Sequence, residues 1–398
     1  MSKVEPTWQS PKIIIGNTAT GNYYYHRPQI ITEVWEQLEK GNHVLLAAPR
    51  RVGKSSVMRY MADNCVDGYL AQFRNIQGFD SEERVYRQIY ELMITCLERK
   101  VQVLTWVGSF FRELRIKEIG LQGVKLDSGS IDYLVEIERI ALKLQEEGIK
   151  LVLFIDELPE VLYTLHKTDK SSQAISILKN FRRWRQEQRF SHIAFVLAGS
   201  IGIHHVVKAI ENRSSDLNDI SQVGFKSLTV EEARTYIQWA TDNSATVQYD
   251  TQLADYLLGK IQHYYLPFFI NLMLDAINRD AKRKGNAVIT TDTIDQAFNE
   301  IIRNNDHFRD WKNRLFDYMG TDAPFLNEVL TYIAHRDRIN ARKLYDLASH
   351  HHKKEDYIEL MDGLIKDGYL IEEADQYVFL SPFLKAFWKR NNPIYDEN

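Results

Sequence analysis

The octapeptide Ala48-Pro49-Arg50-Arg51-Val52-Gly53-Lys54-Ser55 matches the phosphate-loop pattern G-x-x-x-x-G-K-[ST] at every fixed position but the first, where Ala48 replaces Gly. Each fixed residue has a physical task. Backbone N–H groups of the loop and of the following helix N-terminus face phosphate oxygens. Gly53 lets the backbone turn sharply and approach closely. Lys54 supplies a compact positive charge, and Ser55 a hydroxyl suited to Mg²⁺. A small residue suffices at position 48. The flanks agree: His43 to Ala48 is a short apolar run that reads as a buried strand, and Ser55 to Asn64 reads as a helix.

Moving outward, Leu151-Val152-Leu153-Phe154-Ile155-Asp156-Glu157 sets five apolar residues before two acids, at the strand edge where open α/β sheets bind ligands. Asp156 can hold Mg²⁺, and Glu157 can orient or deprotonate an attacking water. Asp156 lies 102 residues after Lys54, and a strand candidate at 69–73 falls between them. That spacing fits the P-loop branch with an extra strand between its two motifs and a catalytic glutamate after the aspartate. Ile193 to Ala198 is a further apolar strand, followed by Gly199 and Ser200. Ser200 either senses a phosphate beside the acidic strand or caps the next helix.

Helices are expected at 28–40, 81–100, 131–147 (stopped by Gly148) and 171–189, and short paired strands at 117–126. Strands alternating with helices to residue 200 imply a parallel α/β sheet. After about residue 228 helices dominate: 230–243, opened by a Thr229/Glu232 capping box, then 251–262, 267–284 and 291–303. From about 322 the order is three helices and a hairpin, 369–373 with 377–380, the pattern of a winged helix.

Two clusters are ambiguous. Lys179, Arg182, Arg183, Arg185 and Arg189 share a helix whose apolar stripe is Leu178, Phe181 and Trp184. The basic residues are either its solvated face or an interface to nucleotide or nucleic acid. His350-His351-His352 suggests a metal tract, but adjacent residues point different ways and no Cys or acidic spacing converges on it. A structural or solvent role is expected.

Composition bounds the rest. The 398 residues are 44% hydrophobic and 26% charged, which excludes a mostly disordered chain. The net charge of −4 denies a chain-wide nucleic-acid footprint. Two cysteines, Cys65 and Cys96, cannot make a disulfide framework, so a reducing, cytoplasmic setting is expected. No signal peptide or membrane span is read. From residue 331 onward, 10 Lys or Arg face 12 Asp or Glu, and the expected reading helix, 354–366, carries Glu355, Asp356, Glu359 and Asp362. Acidic character opposes phosphate contact, so DNA is possible but not favoured, and a protein contact is preferred.

The chain resembles the archaeal-type P-loop ATPases related to the STAND class and to the AAA+ initiators. The resemblance rests on A-P-R-R-V-G-K-S-S (through Ser56), the hydrophobic-Asp-Glu strand, the Gly-Ser strand end, "FKSLTVEEA" at Phe225–Ala233 and "KDGYL…YVFLSPFLKAFW" near the end. It implies ATP and Mg²⁺, with Ser55 and Asp156 (the Walker B acid) as metal ligands, and Lys54, Glu157 and Ser200 as catalytic residues. It also implies adenine contacts at Tyr25-His26-Arg27, with His26 in place of Gly, and at Tyr265-Leu266-Pro267, with Tyr265 in place of Gly. Core packing is the competing reading for Tyr25, Tyr265 and Pro267. The expected organisation is an extension at 1–22, an α/β P-loop core at 23–226, a helical lid at 227–318 and a winged helix at 319–398. The expected activity is slow Mg²⁺-dependent ATP hydrolysis in a conformational switch that acts on a protein partner or on self-assembly. The alternative is an ATP-dependent DNA-binding initiator or loader.

Overall fold

The computed structural model describes residues 9–48, 50–98, 106–113, 116–120, 123–126, 131–199, 203–211, 217–242, 247–262, 264–304, 306–393 and 395. These divide into two compact units. One comprises His26–Ala47 and Lys54–Phe225; the other comprises the chain up to Tyr25, Ala48–Gly53 and Lys226 onward.

The first unit is an α/β layer. Its strands are β1 (His43–Ala47), β2 (Tyr69–Asn75), β3 (Ile116–Gly120), β4 (Gly123–Leu126), β5 (Lys150–Asp156), β6 (Ile193–Ala198) and β7 (Ile220–Gly224). Five of them form a parallel sheet in the order β2-β5-β6-β1-β7, while β3 and β4 pair as a separate antiparallel ribbon. Its helices are α1 (Pro28–Glu39), α2 (Lys54–Asp63), α3 (Glu82–Glu98), α4 (Val107–Glu113), α5 (Tyr133–Glu146), α6 (Leu158–Lys167), α7 (Ser171–Gln186) and α8 (Ile203–Glu211). The unbroken apolar run of β5 has its cause here: Leu151 to Ile155 are each at most 1% exposed, as a strand covered on both faces requires. Each such side chain contributes roughly 1.5–3 kcal/mol of burial. Asp132 caps α5 by accepting the Leu134 and Val135 N–H groups, and Gly148, at φ 65°, ends it in the left-handed conformation.

The strand β7 has no counterpart in the sequence reading. It is an edge strand in which buried Ile220 and Val223 are separated by polar residues, so no apolar run marks it.

The second unit is mostly helical. It holds α9 (Val230–Thr241), α10 (Thr251–Ile261), α11 (Pro267–Lys284), α12 (Thr291–Arg303), α13 (Asp306–Met319) and α14 (Ala323–Arg336). It continues with β8 (Ile339–Asn340), α15 (Ala341–His350), α16 (Tyr357–Lys366), β9 (Leu370–Glu373), β10 (Gln376–Phe379) and α17 (Pro382–Asn391). The Thr229/Glu232 capping box opens α9 as the sequence predicts. The expected hairpin is present as β9–β10, and β8 extends it to a three-stranded antiparallel sheet, β8-β10-β9. Phe383 of α17 packs against Phe269 of α11, Phe298 of α12 and Phe308 of α13, with ring centroids 5.5, 4.9 and 6.0 Å away. This aromatic cluster joins the helical region to the C-terminal segment in one core.

Among the described residues, no helix is long and apolar enough to cross a membrane.

Candidate functional site

The end of β5 and the start of α2 meet in the first unit. Lys54 opens α2 and is only 7% exposed. Ser55 Oγ donates to Asp156 Oδ2 at 2.5 Å. Asp156 ends β5 almost wholly buried, and its Oδ1 accepts the Glu157 N–H at 3.1 Å. Burial pushes its carboxyl up to about 6. The Ser55 hydrogen bond and the Lys54 charge pull it down, while the Glu157 charge adds to the rise. Lys54, Ser55, Asp156 and Glu157 thus converge on one sheet edge.

The strand β6 makes this arrangement possible. It pairs with β1 on one side and β5 on the other, so the two motif-bearing strands are not neighbours. The strand expected between the two motifs, 69–73, is instead β2 at the outer edge of the sheet beyond β5, and the strand interposed in space is β6. Glu157 leaves β5 in the left-handed conformation, φ 65° and ψ 24°, uncommon for a residue with a side chain. Its N–H also reaches the Ala198 carbonyl at the end of β6, at 2.9 Å. Beside it, a Cβ at Gly199 would lie 2.6 Å from Pro159 Cδ and Cγ at the start of α6. Glycine at 199 is therefore a packing requirement.

The preceding part of the loop belongs to the second unit. Arg51 and Gly53 both have positive φ, 63° and 97°. Arg50 pairs with Asp310 of α13, which Arg314 also approaches, at 3.7 Å. Burial raises the Asp310 carboxyl, but the Arg50 hydrogen bond and the Arg50, Arg314 and Arg51 charges outweigh it and hold it below the ordinary value. The Arg51 guanidinium lies over the Phe268 ring of α11, 4.7 Å from its centroid. Burial, then the Arg50 charge, lowers its pKa below the ordinary guanidinium value.

Of the other predicted positions, Ala48, Val52 and Ser56 adjoin Lys54 and Ser55 along the chain, while Arg27, Tyr25 and Pro267 come from elsewhere in it. Ala48 and Arg27 are half-buried, Val52 is buried, and Ser56 lies in the first turn of α2. Tyr25 packs edge-on against Tyr236 and Trp239, and Pro267 is the first residue of α11 behind a Leu228–Tyr265 bridge. Tyr25 is half-buried and makes these ring contacts within the second unit. Pro49 and Ser200 lie outside the described residues.

Of the five basic residues, Lys179, Arg182, Arg183 and Arg185 lie on α7, Arg189 lies in a short turn beyond its end, and three of the five pair within their own unit. Arg183 and Arg189 pair with Glu138, and Arg185, its side chain 1% exposed, binds Asp219 through two hydrogen bonds of 2.9 and 3.0 Å. The expectation that no acidic residue converges on the histidine tract is corrected: Glu328, in the middle of α14, pairs with His351. Sequence spacing hides both this partner and Asp310, because tertiary packing brings them in from 23 and 260 residues away.

Two solved structures share this architecture over nearly their whole length. The Walker-type ATPase PABY2304 of Pyrococcus abyssi aligns over 94% of this chain and 98% of its own, with a TM-score of 0.58 at 14% identity. This chain has the P-loop ATPase fold. The ORC2 protein of Aeropyrum pernix, in its ADPNP–ADP complexes, aligns over 92% of both chains with a TM-score of 0.51 at 11% identity. No family model matches the sequence, and no curated protein matches it significantly.

Proposed function

We propose that this P-loop chain binds ATP and hydrolyses it slowly with Mg²⁺, and that nucleotide binding switches its conformation toward a protein partner or its own assembly. The observation that carries the catalytic reading is the Ser55–Asp156 contact. A hydroxyl and a buried carboxylate touching each other offer two hard oxygen ligands to one small divalent cation, and that donor set suits Mg²⁺. The adenine nucleotides named for the A. pernix ORC2 structure favour ATP as the nucleotide.

In this reading Lys54 places its ammonium against the β- and γ-phosphates, and the N–H groups at the start of α2 receive phosphate oxygens. Mg²⁺, when bound, neutralises phosphate charge. Glu157, whose backbone turns left-handed as it leaves β5, takes the proton of the attacking water. Ser200 remains the candidate phosphate sensor beyond β6.

The switch reading rests on Arg50 and Arg51. The phosphate loop's own arginines are engaged by Asp310 and Phe268, residues of the helical unit. A nucleotide that draws Arg50 toward phosphate competes with Asp310, which gives ATP a different affinity for the latched and unlatched states. The proposed organisation keeps a P-loop core at 23–226, a lid at 227–318 and a winged helix at 319–398.

The test is binding of a fluorescent ATP analogue together with phosphate release. Lys54→Ala should abolish binding, and Glu157→Gln should bind without turnover. Unchanged turnover in either variant rejects its assigned role. The second reading, a DNA-binding initiator, draws on the likeness to the ORC2 fold. It requires ATP-dependent, steeply salt-sensitive binding to duplex DNA, against the acidic Glu359 and Asp362 of α16.

A further inference from the structure

The helix α15 stops at His350, and the stop turns a run of histidines into a convergent pair. His351 is the C-cap residue, with its N–H returned to the Leu347 carbonyl at 3.1 Å. His352 follows at φ 58°, and the Lys353 N–H closes on the Ala348 carbonyl at 2.7 Å. This closure leaves the rings of His350 and His351 5.2 Å apart and nearly perpendicular. Glu328 of α14 meets them, and its carboxylate pairs with His351 Nε2. One ligand atom from each of Glu328, His350 and His351 lies within 4.8 Å of the other two.

We propose that Glu328, His350 and His351 form a binding site for a borderline divalent cation, zinc foremost. Two imidazoles and one carboxylate select Zn²⁺, Ni²⁺ or Cu²⁺ over Mg²⁺ and Ca²⁺, which take oxygen ligands. Bonds of about 2.0–2.1 Å at tetrahedral angles need ligand atoms about 3.3 Å apart. The remaining closure is within reach of side-chain rotation, because His350 is exposed while Glu328 and His351 are half-buried. The surroundings hold the pair in place: the Phe325 ring lies 5.7 Å from that of His351, and Lys353 is taken up by Asp322. Three protein ligands leave a fourth position for water or for a donor from another molecule. A bound ion would pin the end of α15 to the middle of α14. This inference does not depend on the nucleotide reading.

The test is titration of Zn²⁺ into the untagged 398-residue chain, by calorimetry and by competition with a chromophoric chelator. The expected result is one saturable site whose affinity falls at least tenfold in Glu328→Gln, in His350→Ala and in His351→Ala, and holds in His352→Ala. Co²⁺ substitution checks the geometry, since a tetrahedral site gives an intense visible absorption that Glu328→Gln should lose. The proposal is overturned if no saturable site is found. It is equally overturned if Glu328→Gln binds as tightly as wild type, or if His352→Ala loses as much affinity as His351→Ala. Circular dichroism of each variant separates lost affinity from lost fold.

Discussion

Replacing Asp156 by Asn should make the metal-free protein more stable at neutral pH while removing the proposed metal site. The carboxyl is 1% exposed, and burial lifts it from the ordinary 3.8 to about 6. A folded-state value above the unfolded one means that the fold prefers the protonated acid. The cost is absent below about pH 4, grows as pH rises through about 4 to 6, and is complete above that. Two pH units at about 1.4 kcal/mol each put it near 3 kcal/mol at pH 7.5. An asparagine carries no charge to desolvate, and its carbonyl can still accept the Glu157 N–H. Urea unfolding in EDTA between pH 4 and 8, followed by intrinsic fluorescence, should show Asp156→Asn more stable by about 2–3 kcal/mol at pH 7.5, the gap closing toward pH 4. Mg²⁺ with an ATP analogue should then stabilise the wild type and leave the variant unmoved. A variant no more stable than wild type at pH 7.5, or a gap that does not change with pH, would refute the reasoning.

Other outcomes follow from the same geometry. His43, buried in β1, accepts the Phe195 N–H and is held down to about 4, by burial first and the Arg185 charge second. Its contribution is full above about pH 6.5 and lost as pH falls through about 4, about 3 kcal/mol in all. His43→Leu should therefore flatten the acid limb of a stability-versus-pH curve, and an unchanged limb would remove His43 from it. Gly199→Ala should cost about 1–3 kcal/mol through its clash with Pro159, with most of the loss recovered in Gly199→Ala/Pro159→Ala. Non-additive denaturation midpoints would show this, and strict additivity would argue against the clash. Asp310→Ala releases Arg50 and should tighten ATP-analogue binding several-fold in a fluorescence titration; an unaltered affinity would uncouple the latch from the nucleotide.

The parts of this architecture that local chemistry specifies were legible in the sequence. The runs of β1, β5 and β6, the caps at Thr229 and Gly148, and the phosphate-loop signature all sit where residue pattern places them, because each depends on neighbours in the chain. Edge strand β7 escaped because its two buried residues, Ile220 and Val223, are set apart by polar ones and make no apolar run. Helix α6 escaped because a proline at its second residue, Pro159, reads as a break, although a helix start tolerates it. The engagements of the site with distant residues were not legible at all. Nothing in Arg50 announces Asp310, and nothing in His351 announces Glu328, since each pairing is fixed by helix packing.

The insertion of β6 between β1 and β5 acts as a gauge block. Strands stand about 4.8 Å apart, so the ends of β1 and β5 are held two spacings, about 9.6 Å, from each other. That width is reset by nothing at the loop itself; it belongs to the middle strand. A bulge or added residue in Ile193–Ala198 would shift the carboxylate edge relative to the lysine helix without touching either motif. Substitutions along β6 that leave Lys54, Asp156 and Glu157 intact are therefore a distinct route to losing the proposed activity, one that a reading of the two motifs alone would miss.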